Sequence, residues 1–491
     1  MSVSLESFFR TTPMPAIGPM NLDNFLIPID DEDGRTEALL GYQYKTNNGV
    51  RAEAWQALAD QIVMPAVKLP IPSIILSNEP EILHLAILCN SSNQADIEQE
   101  VTQYLVDHPT EKYHLHYVLC EDIQQPEDVQ NLWLAKGDAL IFAPDPQSGQ
   151  ENFWLNEYIT TSAIVAHQTH DKFRMGKPFV QVNDGTFDYM FEHLWSLHDV
   201  GTIPEDLREL ITEVPDIDLA MQQVGQQLER YTAYHLPLYS REPFSTEISG
   251  VVPKGNFSLG VFTSASNENR VLLENTNNLV TSAIIDQDWQ IITGGGHKGR
   301  MGKITNIAAA MRRSHSAKHF GCSVPHIMSG EGDVRQYVTG FARVPHIAQR
   351  MKILYGLSTA VNVEGAGAGT LQEWSLGAWM QHRLLKNPED DLAQQLVSWM
   401  PIIVTNENVP SVPGERFYSG LIDHMPANSM VISPSPEKTL EFLADYKQAL
   451  AKELQQQRIT HLFNRESLIK NARLPSLQQL GFTKNNAGFV L

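Results

Sequence analysis

Gly294-Gly295-Gly296-His297-Lys298-Gly299-Arg300-Met301-Gly302 follows the apolar run 289–293 and precedes a stretch, 303–313, with helical character. A strand that ends in glycines and reopens as a helix gathers backbone N–H groups and a positive helix end, with no side chains in the way. That combination is suited to holding a phosphate. A tight turn selected only for its dihedral angles is the competing explanation. A second cluster, Glu364-Gly365-Ala366-Gly367-Ala368-Gly369-Thr370-Leu371-Gln372-Glu373, weakens that competitor. It also follows an apolar strand, expected over 358–363, and opens a helix expected over 371–384. Two such turns in one parallel sheet face one ligand from two sides, because ligands of these sheets sit outside the carboxyl ends of the strands.

Working outward, strands and helices alternate on both sides of the motif. Downstream, the pattern predicts a strand at 323–328, a helix at 346–357, a strand at 400–405, a helix at 417–424 and a long amphipathic helix at 436–457. Upstream, it predicts a strand at 258–262 ending in Thr263-Ser264-Ala265-Ser266 and a helix at 270–285. A first alternating unit precedes it, with strands at 82–89, 113–120 and 138–142 and near 177–182, and helices at 94–106, 155–170 and 187–197. Strands interleaved with helices mean parallel sheets covered on both faces, an α/β Rossmann-like class. The stretch 204–235 reads as helical and 237–255 as loop.

The two units resemble a divergent internal repeat: LAILCNSS at 85–92 answers LGVFTSAS at 259–266, and KPFVQV at 177–182 answers MPIIVT at 400–405. The first unit has nothing like the glycine run. Where the second glycine turn belongs it carries Pro144-Asp145-Pro146, and Asp145 would repel a phosphate. The expected organisation is therefore an N-terminal extension (1–78), a degenerate Rossmann-like domain (79–203), a helical connector and loop (204–255), an intact domain (256–450) and a C-terminal tail (451–491).

Composition bounds the function. A length of 491 residues implies roughly two to four domains. The net charge of −21 argues against broad nucleic-acid or anionic-membrane binding, which need a basic face. It permits a small anion in a local basic pocket, for which Lys298 and Arg300 are candidates. Cys89, Cys120 and Cys322 show no CxxC spacing and read as buried thiols of a reducing compartment, with no metal framework. The N-terminus lacks a basic start followed by an apolar core, and no apolar run reaches the span of a membrane helix, so the expectation is a cytoplasmic protein.

The pair of motifs resembles the signature of the LOG family, phosphoribohydrolases often mislabelled lysine decarboxylases: GGGxxGxMG followed by PGGxGTxxE. Gly294, Gly295, Gly296, Gly299, Met301 and Gly302 match the first element, and Gly367, Gly369, Thr370 and Glu373 the second, where Gly365 and Ala366 replace the family's proline and first glycine. Ser264 and Ser266 lie at the family's serine-bearing turn, and Arg350 stands where the family has its active-site arginine. The resemblance covers about 257–445 well and 82–200 weakly. It implies cleavage of the N-glycosidic bond of a nucleoside 5′-monophosphate to free base and ribose 5-phosphate, without a cofactor or metal. The glycines, Thr370 and the serines would hold the phosphate, and Glu373 and Arg350 would carry the chemistry. Without the motif, Glu373 is an acidic residue in a helix first turn and Arg350 a helix-surface cation. It also implies dimers, so that a tandem of degenerate and intact copies is expected as an internal pseudo-dimer or a homo-oligomer. A non-catalytic nucleotide sensor is the alternative. A dinucleotide dehydrogenase is disfavoured, since no acidic residue stands at the end of the following strand.

Overall fold

The computed structural model describes residues 83–109, 113–129, 138–145, 150–169, 178–183, 185, 211–231, 247–250, 257–264, 270–311, 318–324, 338–344, 347–364, 367–397, 400–405, 430–459, 477–480, 482 and 489–490. The extension 1–78, the helices expected at 187–197 and 417–424, and Ser266, Gly365 and Ala366 lie outside them. Everything below belongs to the unit Pro65–Leu491.

The first sheet contains β1 (Leu83–Cys89), β2 (Tyr113–Leu119), β3 (Ala139–Ala143), β4 (Phe179–Val182) and β5 (Ile211–Val214), in the order β2-β1-β3-β4-β5 and parallel throughout. Its helices are α1 (Gln94–Asp107), α2 (Gln150–Thr169) and α3 (Ile217–Tyr231). The strand β5 falls within a stretch whose composition predicts helix, and with α3 it completes the first sheet. Residues 211–231 of the supposed connector therefore belong to the first half. Helical spacing lost there because Ile211–Val214 pairs along β4, Phe179 to Ile211 through Val182 to Val214.

The second sheet has nine strands among the described residues: β6 (Glu247–Gly250), β7 (Ser258–Thr263), β8 (Gln290–Thr293), β9 (His319–Ser323), β10 (Gly340–Arg343), β11 (Ala360–Glu364), β12 (Ile402–Thr405), β13 (Met430–Ser433) and β14 (Phe489–Val490). Their order is β14-β13-β12-β11-β7-β8-β9-β10-β6, parallel except for β6, which runs antiparallel to β10. The expected loop at 237–255 thus contains an edge strand, and the tail supplies the other edge. The helices are α4 (Arg270–Ile285), α5 (Gly299–Met311), α6 (Ile347–Leu357), α7 (Ala368–Lys386), α8 (Asp391–Val397) and α9 (Pro436–Gln456). The central strands β7, β8 and β11 are buried along their whole length, which is why they read as continuous apolar runs.

Leu259, Val261, Ile291 and Ile403 point to a core shared with Leu279 of α4, Ile304 of α5 and Leu443 and Leu450 of α9. Phe262, of opposite parity on β7, points to the other face, where its ring meets Tyr355 of α6 at 5.4 Å.

The inner five strands β8-β7-β11-β12-β13 repeat the order β2-β1-β3-β4-β5, so the internal repeat is visible in topology as well as sequence. The registers agree: Leu85 pairs with Leu115 and Ala139, and Leu259 with Ile291 and Ala360. The halves meet through equivalent helices, α2 and α7. Trp154 and Trp374 pack edge to face at 5.5 Å, Tyr158 stacks on Trp379 at 5.7 Å, and Gln372 Nε2 donates to Ser162 Oγ at 2.9 Å. Such aromatic contacts contribute beyond the area they bury.

Candidate functional site

The site forms at the carboxyl ends of β7, β8, β9 and β11. After Thr293 the chain turns through Gly294-Gly295-Gly296, and α5 begins at Gly299, earlier than the expected Lys303, so that Arg300, Met301 and Gly302 lie in its first turn. Packing explains most of these glycines. Gly295 has φ +77° and lies against the backbone of Cys322, whose nitrogen a Cβ would meet at 3.0 Å. Gly299 also has positive φ, at +55°. A Cβ on Gly302 would overlap the carbonyl of His297, and one on Gly294 would overlap the guanidinium of Arg350.

Several backbone groups of this turn are bonded internally. Gly296 N–H donates to Met301 Sδ at 2.9 Å, Arg300 N–H to the Ser264 carbonyl at 3.2 Å and Gly302 N–H to the Lys298 carbonyl at 2.9 Å. The run therefore acts foremost as a clearance for Arg350 and a tight entry into α5.

Arg300 is not an open cation for a ligand. It is fully buried; its Nη2 lies 2.6 Å from Glu364 Oε2 and its Nε donates to Thr276 Oγ1 at 2.9 Å. Thr276 and Asn362 also donate to the Glu364 carboxylate, each at 2.8 Å. Glu364 at the end of β11 thus ties β11 to α4 and α5, a role the sequence did not reveal. Lys298 is exposed.

The other glycine turn is more open. Gly367 caps α7 in an extended conformation with no side-chain capping bond, so the first-turn N–H groups are presented at the helix end. A Cβ at Gly369 would meet nothing within 4 Å, while Gly367 backs on Ser264, whose Oγ it would meet at 2.8 Å. The Thr370 hydroxyl is buried without a hydrogen-bond partner, and so are the hydroxyls of Thr263 at the end of β7 and Ser323 at the end of β9. Buried polar atoms of this kind call for a partner, since leaving one unpaired costs about 1–3 kcal/mol. Thr263 opens the serine-bearing turn 263–266, whereas Ser323 lies outside any motif. The signal of Ser323 was only position, the last residue of a strand that feeds the site.

Arg350 and Glu373 lie side by side. Arg350 Nη2 lies 3.1 Å from Glu373 Oε1, both side chains almost wholly buried. Arg350 Nε donates to the Cys322 carbonyl at 3.1 Å. Tyr355 Oη donates to the Glu373 carbonyl at 2.6 Å, fixing α7 against α6. Neither residue is the surface group that its local sequence would make it. The adjacent Cys322 thiol is pushed up to about 12 by burial, which Arg350 opposes and Glu373 reinforces, so it is an inert thiol.

The first half closes the equivalent place with its own carboxylates. Ser91 donates to Glu121 Oε1 through its N–H at 3.0 Å and its hydroxyl at 2.9 Å. Ser92 Oγ donates to Asp145 Oδ2 at 2.6 Å, and Asp145 N–H to Asn90 Oδ1 at 2.8 Å. The strand-end donors that could have met an anion there already hold one.

No family model matches the chain, nor does any curated protein. Solved structures that it resembles include a molybdenum cofactor binding protein from Rippkaea orientalis, at 21% identity over 39% of this chain and 97% of that one, with a TM-score of 0.28. A Moco carrier protein from Chlamydomonas reinhardtii is similar at 19% identity over 40% of this chain and 99% of its own, again with a TM-score of 0.28. Among the described residues no helix is long and apolar enough to cross a membrane, and no His, Cys, Asp and Glu side chains group as metal ligands.

Proposed function

We propose that the second half hydrolyses the N-glycosidic bond of a nucleoside 5′-monophosphate, releasing the base and ribose 5-phosphate. The observation that carries this reading is the buried Arg350–Glu373 pair, held against Gly294 and one helical turn from Thr370. Thr370 and Glu373 are three residues apart on α7, hence on one face and separated by a rise of about 4.5 Å along the axis. That spacing suits a ribose whose 5′-phosphate lies at the start of α7 and whose anomeric carbon lies beside Glu373.

In this account the first-turn N–H groups of α7, with the Thr370 hydroxyl and Ser264, bind the phosphate and so supply binding energy at a distance from the reacting bond. As the glycosidic bond breaks, positive charge grows on the sugar, and the Glu373 carboxylate stabilises it or directs the attacking water. Arg350 orients Glu373 through Nη2 while the Cys322 carbonyl fixes the guanidinium. No cofactor enters the scheme.

A second reading, a nucleotide-binding sensor without catalysis, draws on the engagement of Glu373 by Arg350 and on Gly365 and Ala366 in place of the family's proline and glycine. Incubation with a panel of nucleoside monophosphates, followed by chromatography for free base, separates the two. Release from at least one supports hydrolysis. No release, together with thermal stabilisation by a monophosphate, supports the sensor.

A further inference from the structure

The helices that carry Arg350 and Glu373 are both tied to a single turn of the first half. Lys352 lies two residues beyond Arg350 on α6, about 200° around the helix axis, so the two side chains leave α6 on opposite sides. Arg350 reaches the glycine turn of the second sheet. Lys352, 1% exposed, reaches the first half, where its Nζ lies 2.6 Å from Glu127 Oε2 and donates to Gln125 Oε1 at 3.3 Å. From α7, Arg383 donates to the carbonyl of Gln124 and, at 2.8 Å, to Gln124 Oε1. The turn is itself braced: Asp128 Oδ2 accepts the N–H groups of Gln124 and Gln125 at 2.9 and 3.0 Å.

Its place in the repeat gives this turn a meaning. Leu115 of β2 corresponds to Ile291 of β8, because each pairs with the equivalent leucine of its central strand, Leu85 or Leu259. Counted on from there, the stretch 120–128 stands where 296–304, the glycine turn and the start of α5, stands in the second half. We propose that this degenerate copy of the glycine turn is a clamp: Gln124, Gln125 and Glu127 are positioning residues that set α6 against α7 and thereby the Arg350–Glu373 geometry. The inference rests on the hydrolase reading for its catalytic consequence and on the contacts alone for its mechanical one. Burial pushes the Glu127 carboxyl up, and the Lys352 ammonium beside it opposes that rise.

The test uses the full chain carrying Glu127→Gln, and the charge-swapped double variant Glu127→Lys/Lys352→Glu. Two quantities are measured: amide exchange over Ile347–Leu357, and kcat and KM for whichever monophosphate the wild type hydrolyses. For Glu127→Gln the expected results are exchange in α6 faster by about tenfold and kcat lower by about tenfold with KM changed less than about twofold. The swap should restore both substantially. If Glu127→Gln fails to fold around an orphaned lysine, Glu127→Gln/Lys352→Met leaves no unpaired buried charge and carries the same expectations. Unchanged exchange over α6 overturns the clamp whatever the turnover. Faster exchange with unchanged kcat, or a loss that the swap does not restore, overturns its positioning role. A wild type that releases no base from any monophosphate removes the hydrolase reading instead, and the exchange result still decides the clamp.

Discussion

Arg350 Nη2 and Glu373 Oε1 lie 3.1 Å apart with both side chains almost wholly removed from water, and the guanidinium occupies the space that a side chain at Gly294 would fill. Glycine motif, arginine and glutamate are thus one construction. Removing either charge leaves the other buried and uncompensated, at a cost of about 3–5 kcal/mol in stability. Arg350→Ala and Glu373→Gln are expected to lower kcat by roughly a hundredfold or more. Steady-state kinetics beside a thermal melt checks this, and activity near that of the wild type in both would remove the assignment.

Gly294→Ala tests the clearance directly. The added methyl must displace the Arg350 guanidinium, so turnover should fall by roughly a hundredfold while secondary structure persists in circular dichroism. Gly369→Ala serves as the contrast. Its methyl enters open space, so the fold should be undisturbed and the effect should fall on KM for the monophosphate.

The Arg300–Glu364 pair is assigned to stability. Arg300→Met strands the Glu364 carboxylate at the end of β11 and should cost about 3–5 kcal/mol. The double variant Arg300→Met/Glu364→Gln should recover much of that loss, because no buried charge is left alone. Chemical denaturation of the three proteins measures it, and an Arg300→Met protein as stable as the wild type would contradict the role.

Much of this was legible in the sequence, and the misses have physical causes. The strands β7 and β8 and the helices α4 and α9 were marked by apolar runs and helical spacing that tertiary packing reinforces. The strand β9 was expected four residues late, over 323–328, because His319-Phe320-Gly321-Cys322-Ser323 is less apolar. Its Gly321 is there for contact: a Cβ would come within 3.2 Å of the Gly295 Cα. The edge strands β5 and β6, and β10 between β9 and β6, are four residues each and are fixed by their pairing partners, which composition does not encode. The residues of the site were legible through the motif alone. The roles of Glu364, Ser323 and Lys352 were not, since they arise only when separate strand ends and helices converge.

Glu157 of α2 gives a pH signature. Burial alone pushes its carboxyl up from 4.5 to about 8. The folded state therefore retains a proton that the unfolded chain releases above about pH 4.5. The contribution is fully present below that pH and declines as pH rises toward 8, by up to about 1.4 kcal/mol per unit. Glu157→Gln should flatten the stability profile between pH 5 and 8 relative to wild type, measured by denaturant unfolding across that range. Parallel profiles for the two proteins would show that Glu157 does not titrate there.

In the proposed reaction the turn opening α7 anchors a phosphate while Glu373 works on the sugar one turn away. Phosphorus-31 spectroscopy of the full chain mixed with a panel of nucleoside monophosphates tests it most directly, with Glu373→Gln as the partner sample. Ribose 5-phosphate should appear with the wild type for at least one nucleotide. With Glu373→Gln the same nucleotide should still be bound, its phosphorus signal broadened or shifted, yet remain uncleaved. Formation of ribose 5-phosphate by Glu373→Gln at the wild-type rate, or no cleavage of any nucleotide by the wild type, would contradict the account.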